Sequence, residues 1–526
     1  MKKQILINLA SNYLLSFFGM ALGFMLVPFL IHKIGRDAYG VTMLAESTVA
    51  FFEVLTISVR MALSRHATFA LSRDELESFV EYLSTGRVIL YFSATIVLVA
   101  GALVSVNFTH LFQVPAALGL DSKVLFFLIC FAFTVSIPNI IFWSVLYAKQ
   151  RFDLINFSSS FGLVMRAVCL FLYYSFAPKA WQTLTAYGLI YLIMTLTQNY
   201  MIYYWHRKMM PQGLHIRFKH FKKERVREIL SFSLHTSLTK ASALLYQETA
   251  QIIINIFWGP GLNAIYAVAQ KFPNMMRRVF IEPSYALTPT FTDLAARGKH
   301  DRIGQLLYTY SKALSILTLP VCFLLIFFAK PLIYSWVGPE FEMAGRLLPY
   351  FSVSLFVSIP FSLTGCILNA YGKVKIPSFV SIASALCNVT LCLVLGQWCD
   401  YKLFGVAIAA LVSSVLVGTI FLPVYSCRIS GLSVRRYWIE SFVKPFFLSS
   451  VFMIGGFYGL GLSRFSVFLD AQLLLTLTGL ITAFYLSSYV LLLNADEKRY
   501  IHETVRLTLA ALNRMVLKTP SDTETL

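Results

Sequence analysis

Charged side chains are scarce in this chain, and acids are the scarcest: 13% of the 526 residues are charged, with 25 Asp+Glu against 44 Lys+Arg. With 57% hydrophobic residues and a mean hydropathy of +0.69, this excludes a soluble globular domain. Cysteines are few as well. The eight that occur, such as Cys130, Cys169, Cys322 and Cys392, lie mostly within apolar runs and form no paired CxxC or Cys/His spacing. A zinc site or a disulfide framework is therefore not expected. No glycine-rich phosphate cradle is present, which argues against ATP hydrolysis. The segments poor in Lys/Arg are all short, and the longest, 108–123, holds a single acid. A membrane-bound glycan polymerase or ligase would carry carboxylates and a substantial loop there. Neither an enzyme nor a bound cofactor or metal is expected.

What the chain has in abundance is apolar runs of membrane-spanning length. A helix needs about 20 apolar residues to cross a bilayer. Fourteen such helices are expected, at about 5–31, 39–60, 86–107, 124–148, 154–176, 183–206, 229–257, 262–290, 305–329, 343–369, 376–396, 403–427, 442–462 and 469–493. The fourth, eighth and tenth are interrupted by Pro138, Pro273 and Pro360. The charges between them are sorted. Of the 44 Lys+Arg, 30 fall in every second gap and the tails, 8 in the other gaps and 6 inside the spans. This is the positive-inside pattern of a polytopic membrane protein. It explains the +19 net charge without nucleic acid, because the largest basic block, 207–227, would face anionic headgroups. The run 5–31 is too long for the apolar core of a signal peptide and reads as a retained helix. Both termini then lie on the Lys/Arg-rich, cytoplasmic side.

The chain also matches itself. At a shift of 224, Ile34-Gly35 meets Trp258-Gly259; tyrosines follow at Tyr39 and Tyr266, which implies about three extra residues in the second copy. At 222, Leu146-Tyr147-Ala148 meets Leu368-Asn369-Ala370. Ser159, Gly162 and Arg166 meet Ser381, Ser384 and Asn388, and each trio is spaced i, i+3, i+7 on one helix face. Two parallel six-helix lobes are expected, at 1–210 and 229–430. A basic linker at 211–228 joins them, helices 13 and 14 follow at 431–493, and the tail at 494–526 holds an amphipathic helix.

Six cations fall inside the spans: Arg166, Lys240, Lys271, Arg277, Arg278 and Lys312. Burying an Arg or Lys at the bilayer centre costs about 2.5–3.5 kcal/mol on insertion scales, so such residues face water or acids. Glu46 and Glu53 share one face of helix 2; Glu248 lies on helix 7 with Gln247 and Gln251 beside it, and Glu282 follows Arg278. One reading is a polar cavity with an anion-binding wall, with carboxylates that take a proton or sodium ion. The other is structural, with ion pairs such as Glu53 to Arg166 holding the bundle together. Asn8, Ser11 and Asn12 form a polar stripe on helix 1, and Gly19-x-x-x-Gly23 fits close helix packing.

The stretch Asn8…Ser11…Pro28…Ile34-Gly35…Tyr39-Gly40 resembles the first two helices of the polysaccharide-transport branch of the MATE-like (MOP) exporter superfamily. Phe257-Trp258-Gly259, Ala264-Ile265-Tyr266 and Leu368 to Pro377, followed by Asn388 and Gly405, are similar to its later helices. The resemblance runs from about residue 5 to 430. It implies a flippase of the O-antigen or capsule (Wzx) type, which moves an undecaprenyl-pyrophosphate-linked oligosaccharide across the bacterial inner membrane by alternating access. Polysaccharide polymerase and chain-length proteins would be its partners. By location, Arg166, Lys240, Lys271, Arg277 and Arg278 would line the cationic cavity, Glu46, Glu53, Glu248 and Glu282 would couple to H+ or Na+, and Asn8, Asn12, Gln247, Gln251 and Asn388 would line the helices. A multidrug or lipid II exporter of the same fold is the alternative, and a glycan polymerase or ligase the second.

Overall fold

A computed structural model describes residues 2–210, 216–373, 375–462, 471–495, 497–499 and 502. These residues form helices and short connections, with no strand among them. Backbone N–H and C=O groups in hydrocarbon must be satisfied within their own segment, and helices achieve that. Eleven helices are long and apolar enough to cross a membrane. Fourteen spans are compatible with the structure. The helices Leu184–Met209 and Glu342–Ser358 occupy the expected sixth and tenth positions. The 58-residue helix Lys223–Phe280 is broken at Gly259 (φ 83°, ψ 177°) into two.

We number the helices α1 (Lys2–Ile34), α2 (Arg36–Ser72), α3 (Leu76–Val106), α4 (Gly119–Ala148), α5 (Phe152–Phe176), α6 (Leu184–Met209), α7 (223–258), α8 (260–280), α9 (His300–Phe327), α10 (Glu342–Ser358), α11 (Lys375–Trp398), α12 (Lys402–Ser430), α13 (Val434–Gly459) and α14 (Ala471–Leu491). α2 contains a 3-10 turn at Phe51–Glu53, and π-turns interrupt the second half at Val394–Trp398, Val415–Phe421 and Ile439–Val443. Of the three interrupting prolines, Pro360 alone falls at a break, after Ser358; α4 and α8 continue through Pro138 and Pro273.

The repeat is written in the backbone. Gly35 (φ 86°, ψ 164°) stands where Gly259 stands, 224 residues on. Asp74 (φ 59°) and Gly298 (φ 66°) hold the same relation, and Gln150 (φ 56°) and Gly372 (φ 65°) are separated by 222. The hydrogen bonds repeat as well: Gln150 N–H to Tyr147 O (2.8 Å) and Arg151 N–H to Leu146 O (3.0 Å) have counterparts in Gly372 to Asn369 (3.0 Å) and Lys373 to Leu368 (2.9 Å). Both are helix ends closed by a left-handed residue. Between the first two kinks the copies have equal length, since 74 − 35 and 298 − 259 are both 39. The three extra residues expected from the tyrosines are therefore not an insertion. Tyr39 and Tyr266 are simply not equivalent.

The two repeat kinks meet. Asn263 Nδ2 donates to Gly40 O at 3.1 Å in a buried contact. A Cβ on Gly40 would stand 1.9 Å from the Pro260 carbonyl oxygen, so only glycine allows the two helix starts to touch. From this junction α2 packs along the α7–α8 pair, while α1 lies against α5, and α4 against α3 and α6. α1 is the least buried span: 17% of its apolar window is enclosed, against 67% for Ala241–Phe280.

Candidate functional site

Two hollows border α1. The first, of about 420 Å³, is bounded by α1, α2, α4, α5 and α6; its polar lining includes Arg60, Asn139, Ser159, Arg166, Gln198 and Asn199. The trio Ser159, Gly162 and Arg166, singled out by its i, i+3, i+7 spacing, faces this space. Amides form a chain along its wall: Asn139 Nδ2 donates to Asn199 Oδ1 (2.9 Å), and Asn199 Nδ2 donates to Ser136 Oγ (3.0 Å). Such a ladder holds polar groups in place within an apolar bundle. The second hollow, of about 150 Å³, lies between α1, α8 and the helix Ala329–Val337, and is lined by Gly19, Gly23, Lys271, Arg278 and Trp336. Leu15 lines the first and Gly19 the second, one turn apart on α1. The single expected cavity is thus found as two hollows that meet one face of α1 at successive turns.

The cations are not neutralised by close acids. Arg166 lies over the Tyr191 ring, with its guanidinium carbon 4.7 Å from the centroid. Among the described residues, no carboxylate stands within 4.0 Å of Arg166, Lys271, Arg277 or Arg278. Glu46 acts electrostatically on both Arg166 and Lys271, and Lys271 also senses Arg278 and Arg166. Glu46 is held by Tyr187, whose hydroxyl donates to Oε1 at 2.9 Å. Arg166 thus lines the first hollow and Lys271 and Arg278 the second, with Glu46 as a charge that acts on Arg166 and Lys271. Arg277 lines neither hollow: its side chain interacts with Tyr246 on α7. One residue separates it from Arg278 by a rotation of about 100° on the helix, which turns the two apart.

Glu53 pairs with Arg60 (3.8 Å), one helix face along, rather than with Arg166. Glu248 approaches Ser47 and lies in Coulomb range of Glu46 and Glu53, so carboxylates from α2 and α7 come together. Gln247 is exposed and Gln251 half-buried, with Oε1 lacking a partner. The side chains of Lys240 and Glu282 lie outside the described residues.

Helix-lining residues divide between pore and packing. Asn8 Nδ2 donates to Gln150 O (2.8 Å) and Asn12 Oδ1 accepts from Asn156 Nδ2 (2.8 Å), tying α1 to α5. Asn388 is buried and accepts from Cys392. Gly23 has nothing within 4 Å of a Cβ, and Gly19 has only Arg278 and Leu163 at 3.8 and 3.9 Å. The Gly-x-x-x-Gly pair thus lines a hollow and packs no helix tightly. Lys312 is spoken for: it pairs with Glu497 at 3.0 Å, in a site only 4% and 11% exposed, which pins the segment after α14 onto α9. Sequence reading missed Arg60, Tyr191, Asn139 and Asn199 as pocket residues, and Tyr187 as the group that holds Glu46. Asn139 beside Pro138, and the Gln198-Asn199 pair in an apolar helix, were the available signals.

An all-helical bundle of two like halves, with cations lining hollows beside α1, defines the class: a multi-pass helical membrane protein. The comparisons agree. The chain matches the family described as "Polysaccharide biosynthesis protein" over residues 5–295, and belongs to it. Residues 253–494 also match the family "Lipid II flippase MurJ". It is 23% identical to "Uncharacterized membrane protein EpsK" of Bacillus subtilis (strain 168) over 96% of this chain and 99% of that one. It is 25% identical to "Probable lipid II flippase MurJ" of Vibrio cholerae serotype O1 (strain ATCC 39315 / El Tor Inaba N16961) over 49% and 51%. Among solved structures, an inward-facing MATE-family multidrug transporter of the MOP superfamily superposes with a TM-score of 0.67 at 11% identity (81% and 99% covered). The inward closed conformation of lipid II flippase MurJ gives 0.66 at 16% (92% and 99%).

Proposed function

We propose that the chain flips an undecaprenyl-pyrophosphate-linked oligosaccharide, an O-antigen or capsule repeat unit, from the cytoplasmic to the periplasmic leaflet of the bacterial inner membrane. The observation that carries this reading is that Arg166, Lys271 and Arg278 line the hollows beside α1, with Glu46 as a charge that acts on Arg166 and Lys271. A pyrophosphate cannot cross about 30 Å of hydrocarbon unaided, and fixed cations replace the hydration it loses. Buried bases outnumber buried acids here, which suits an anionic substrate better than a cationic drug. In this reading the lobes 1–210 and 229–430 rock about the hollows while the polyprenyl chain stays in lipid. The segment 211–228 links them on the cytoplasmic side, where the termini also lie, and 431–493 and the tail 494–526 are appended. Glu46, Glu53 and Glu248 carry H+ or Na+ in antiport, and the polymerase and chain-length proteins act on the delivered product. The protein translocates its substrate without chemical change.

The full chain in vesicles, supplied with a fluorescent undecaprenyl-pyrophosphate-linked sugar, tests this. Protein-dependent transfer between leaflets that rises with an imposed H+ or Na+ gradient is expected. Transfer indifferent to both gradients removes the antiport; no transfer of any lipid-linked sugar removes the function. The match of 253–494 to lipid II flippases favours lipid II as the second substrate to supply.

A further inference from the structure

A third hollow, of about 460 Å³, continues the first toward the Lys/Arg-rich end of the bundle. The two share Arg60 and Trp143. Its walls differ in chemistry. One is aromatic: Trp143 and Tyr147 stand one turn apart on α4 with ring centroids 5.1 Å apart and planes 33° apart, and Phe152 meets Tyr147 edge-on at 5.0 Å. The facing wall, from the last turns of α2, mixes Arg60, Ser64, Arg65, Thr68 and Ser72 with the apolar Met61 and Phe69. Ser64 and Thr68 hydroxyls donate to the carbonyls of Arg60 (2.7 Å) and Ser64 (2.6 Å), which leaves their oxygen lone pairs as acceptors. Arg60 is held over the Trp143 ring at 5.9 Å and by Glu53 at 3.8 Å, so its donors keep a fixed place between the two hollows.

An aromatic face opposed by hydroxyls and guanidinium groups set among Met61 and Phe69 matches a ligand that is itself two-sided. A pyranose ring has an apolar C–H face and a polar hydroxyl edge. A polyprenyl chain would use the rings, Met61 and Phe69 but offer Arg60 and the hydroxyls no partner, and a bare phosphate has no use for the rings. Position agrees with chemistry: from Asn139 in the first hollow to Tyr147 is eight residues along α4, about 12 Å, so a headgroup anchored at Arg166 would extend its sugars over Trp143 and Tyr147.

We infer that Trp143 and Tyr147, with Arg60, Ser64 and Thr68 opposite, form a glycan subsite that reads the first sugars while Arg166 holds the pyrophosphate. The inference rests on the reading of the chain as a carrier of lipid-linked sugars. It is tested with the full chain in lipid nanodiscs and two probes, undecaprenyl pyrophosphate and undecaprenyl-pyrophosphoryl N-acetylglucosamine, by native mass spectrometry. The readout is the ratio of the two affinities. Tyr147→Ala and Trp143→Leu are each expected to lower the preference for the sugar-bearing probe about tenfold, while Trp143→Phe keeps most of it. Arg166→Gln is expected to weaken both probes alike and keep the ratio. An unchanged ratio in both Tyr147→Ala and Trp143→Leu overturns the subsite and leaves the transport reading standing, with these rings as interfacial packing. Failure of the unaltered protein to bind either probe overturns the transport reading and the subsite together.

Discussion

Glu46 sets the electrostatic balance of the site, because it acts on both Arg166 in the first hollow and Lys271 in the second. In the absence of substrate it stands where an anionic headgroup would be attracted, tethered by the Tyr187 hydroxyl. Glu46→Gln keeps that hydrogen bond and removes the competing charge. It is expected to tighten binding of undecaprenyl pyrophosphate about tenfold, read as a Kd by isothermal titration in detergent. Weaker or equal binding would remove Glu46 from the role of counter-charge. A second charge network lies outside the spans, where 216–228 docks on α3. Lys222 and Arg225 pair with Glu81 (both 3.2 Å), Arg225 pairs with Glu228 (3.1 Å), and Tyr82 donates to Glu228. The Tyr82 hydrogen bond, then Arg225, hold the Glu228 carboxyl below the usual carboxylate range. A depressed pKa adds stability that is present above the unfolded value, about 4.3, and is lost as pH falls through the lower folded value. Protection of the amides of 216–228, taken relative to their intrinsic exchange rate at each pH, is therefore expected to fall below about pH 4, and to be lower at neutral pH in Glu228→Gln. The effect is small, since Glu228 is 41% exposed. Protection that changes neither with pH nor with the substitution would show that the network does not hold the linker.

At the scale of elements, the junction of α2 and α8 and the helix α1 use glycine in opposite ways. Gly40 admits the Pro260 carbonyl at a distance no side chain permits, whereas Gly23 opens onto empty space. Gly40→Ala should therefore push two helix starts apart and destabilise the protein by about 1–3 kcal/mol; Gly23→Ala should leave stability unchanged. Thermal unfolding of the two purified variants gives the comparison, and equal Tm values would contradict the account of the junction. Sequence patterning reaches some of these features and not others. Hydropathy locates the spans because each must be apolar along its whole length. The kink at Gly259 is legible through its copy at Gly35, because glycine, which adopts positive φ without strain, stands at both positions. The Gly19/Gly23 pair reads as packing from its spacing, yet spacing says nothing about whether a neighbouring helix is present. Arg277 and Arg278 are adjacent in sequence, and only the rotation of α8 sends the first to Tyr246 and the second into the hollow beside α1.

For the whole molecule, two matched halves meet at the buried Asn263–Gly40 contact and carry unlike charges at like positions. Glu53 on α2 corresponds to Arg277 on α8 at the shift of 224 set by the kinks. Two matched halves suit the proposed alternating access, and divergence of the charges gives each half a different part of the proposed site. Arg166 is legible from sequence because its whole stripe repeats as Ser381, Ser384 and Asn388, a polar pattern that apolar drift does not produce. The split of the cavity into two hollows beside α1 is not legible, since it depends on how a sparsely buried helix lies between others. The central claim is that cations in both hollows act on one anionic headgroup. It is tested most directly by the rate at which vesicle-embedded Arg166→Gln, Lys271→Gln and the double variant transfer a fluorescent undecaprenyl-pyrophosphate-linked sugar between leaflets. The account predicts at least a tenfold loss, about 1.4 kcal/mol or more, in each single variant, with the double variant losing less than the product of the two because both charges meet one ligand. Transfer at the unaltered rate in both single variants, with protein folded and inserted, would contradict it.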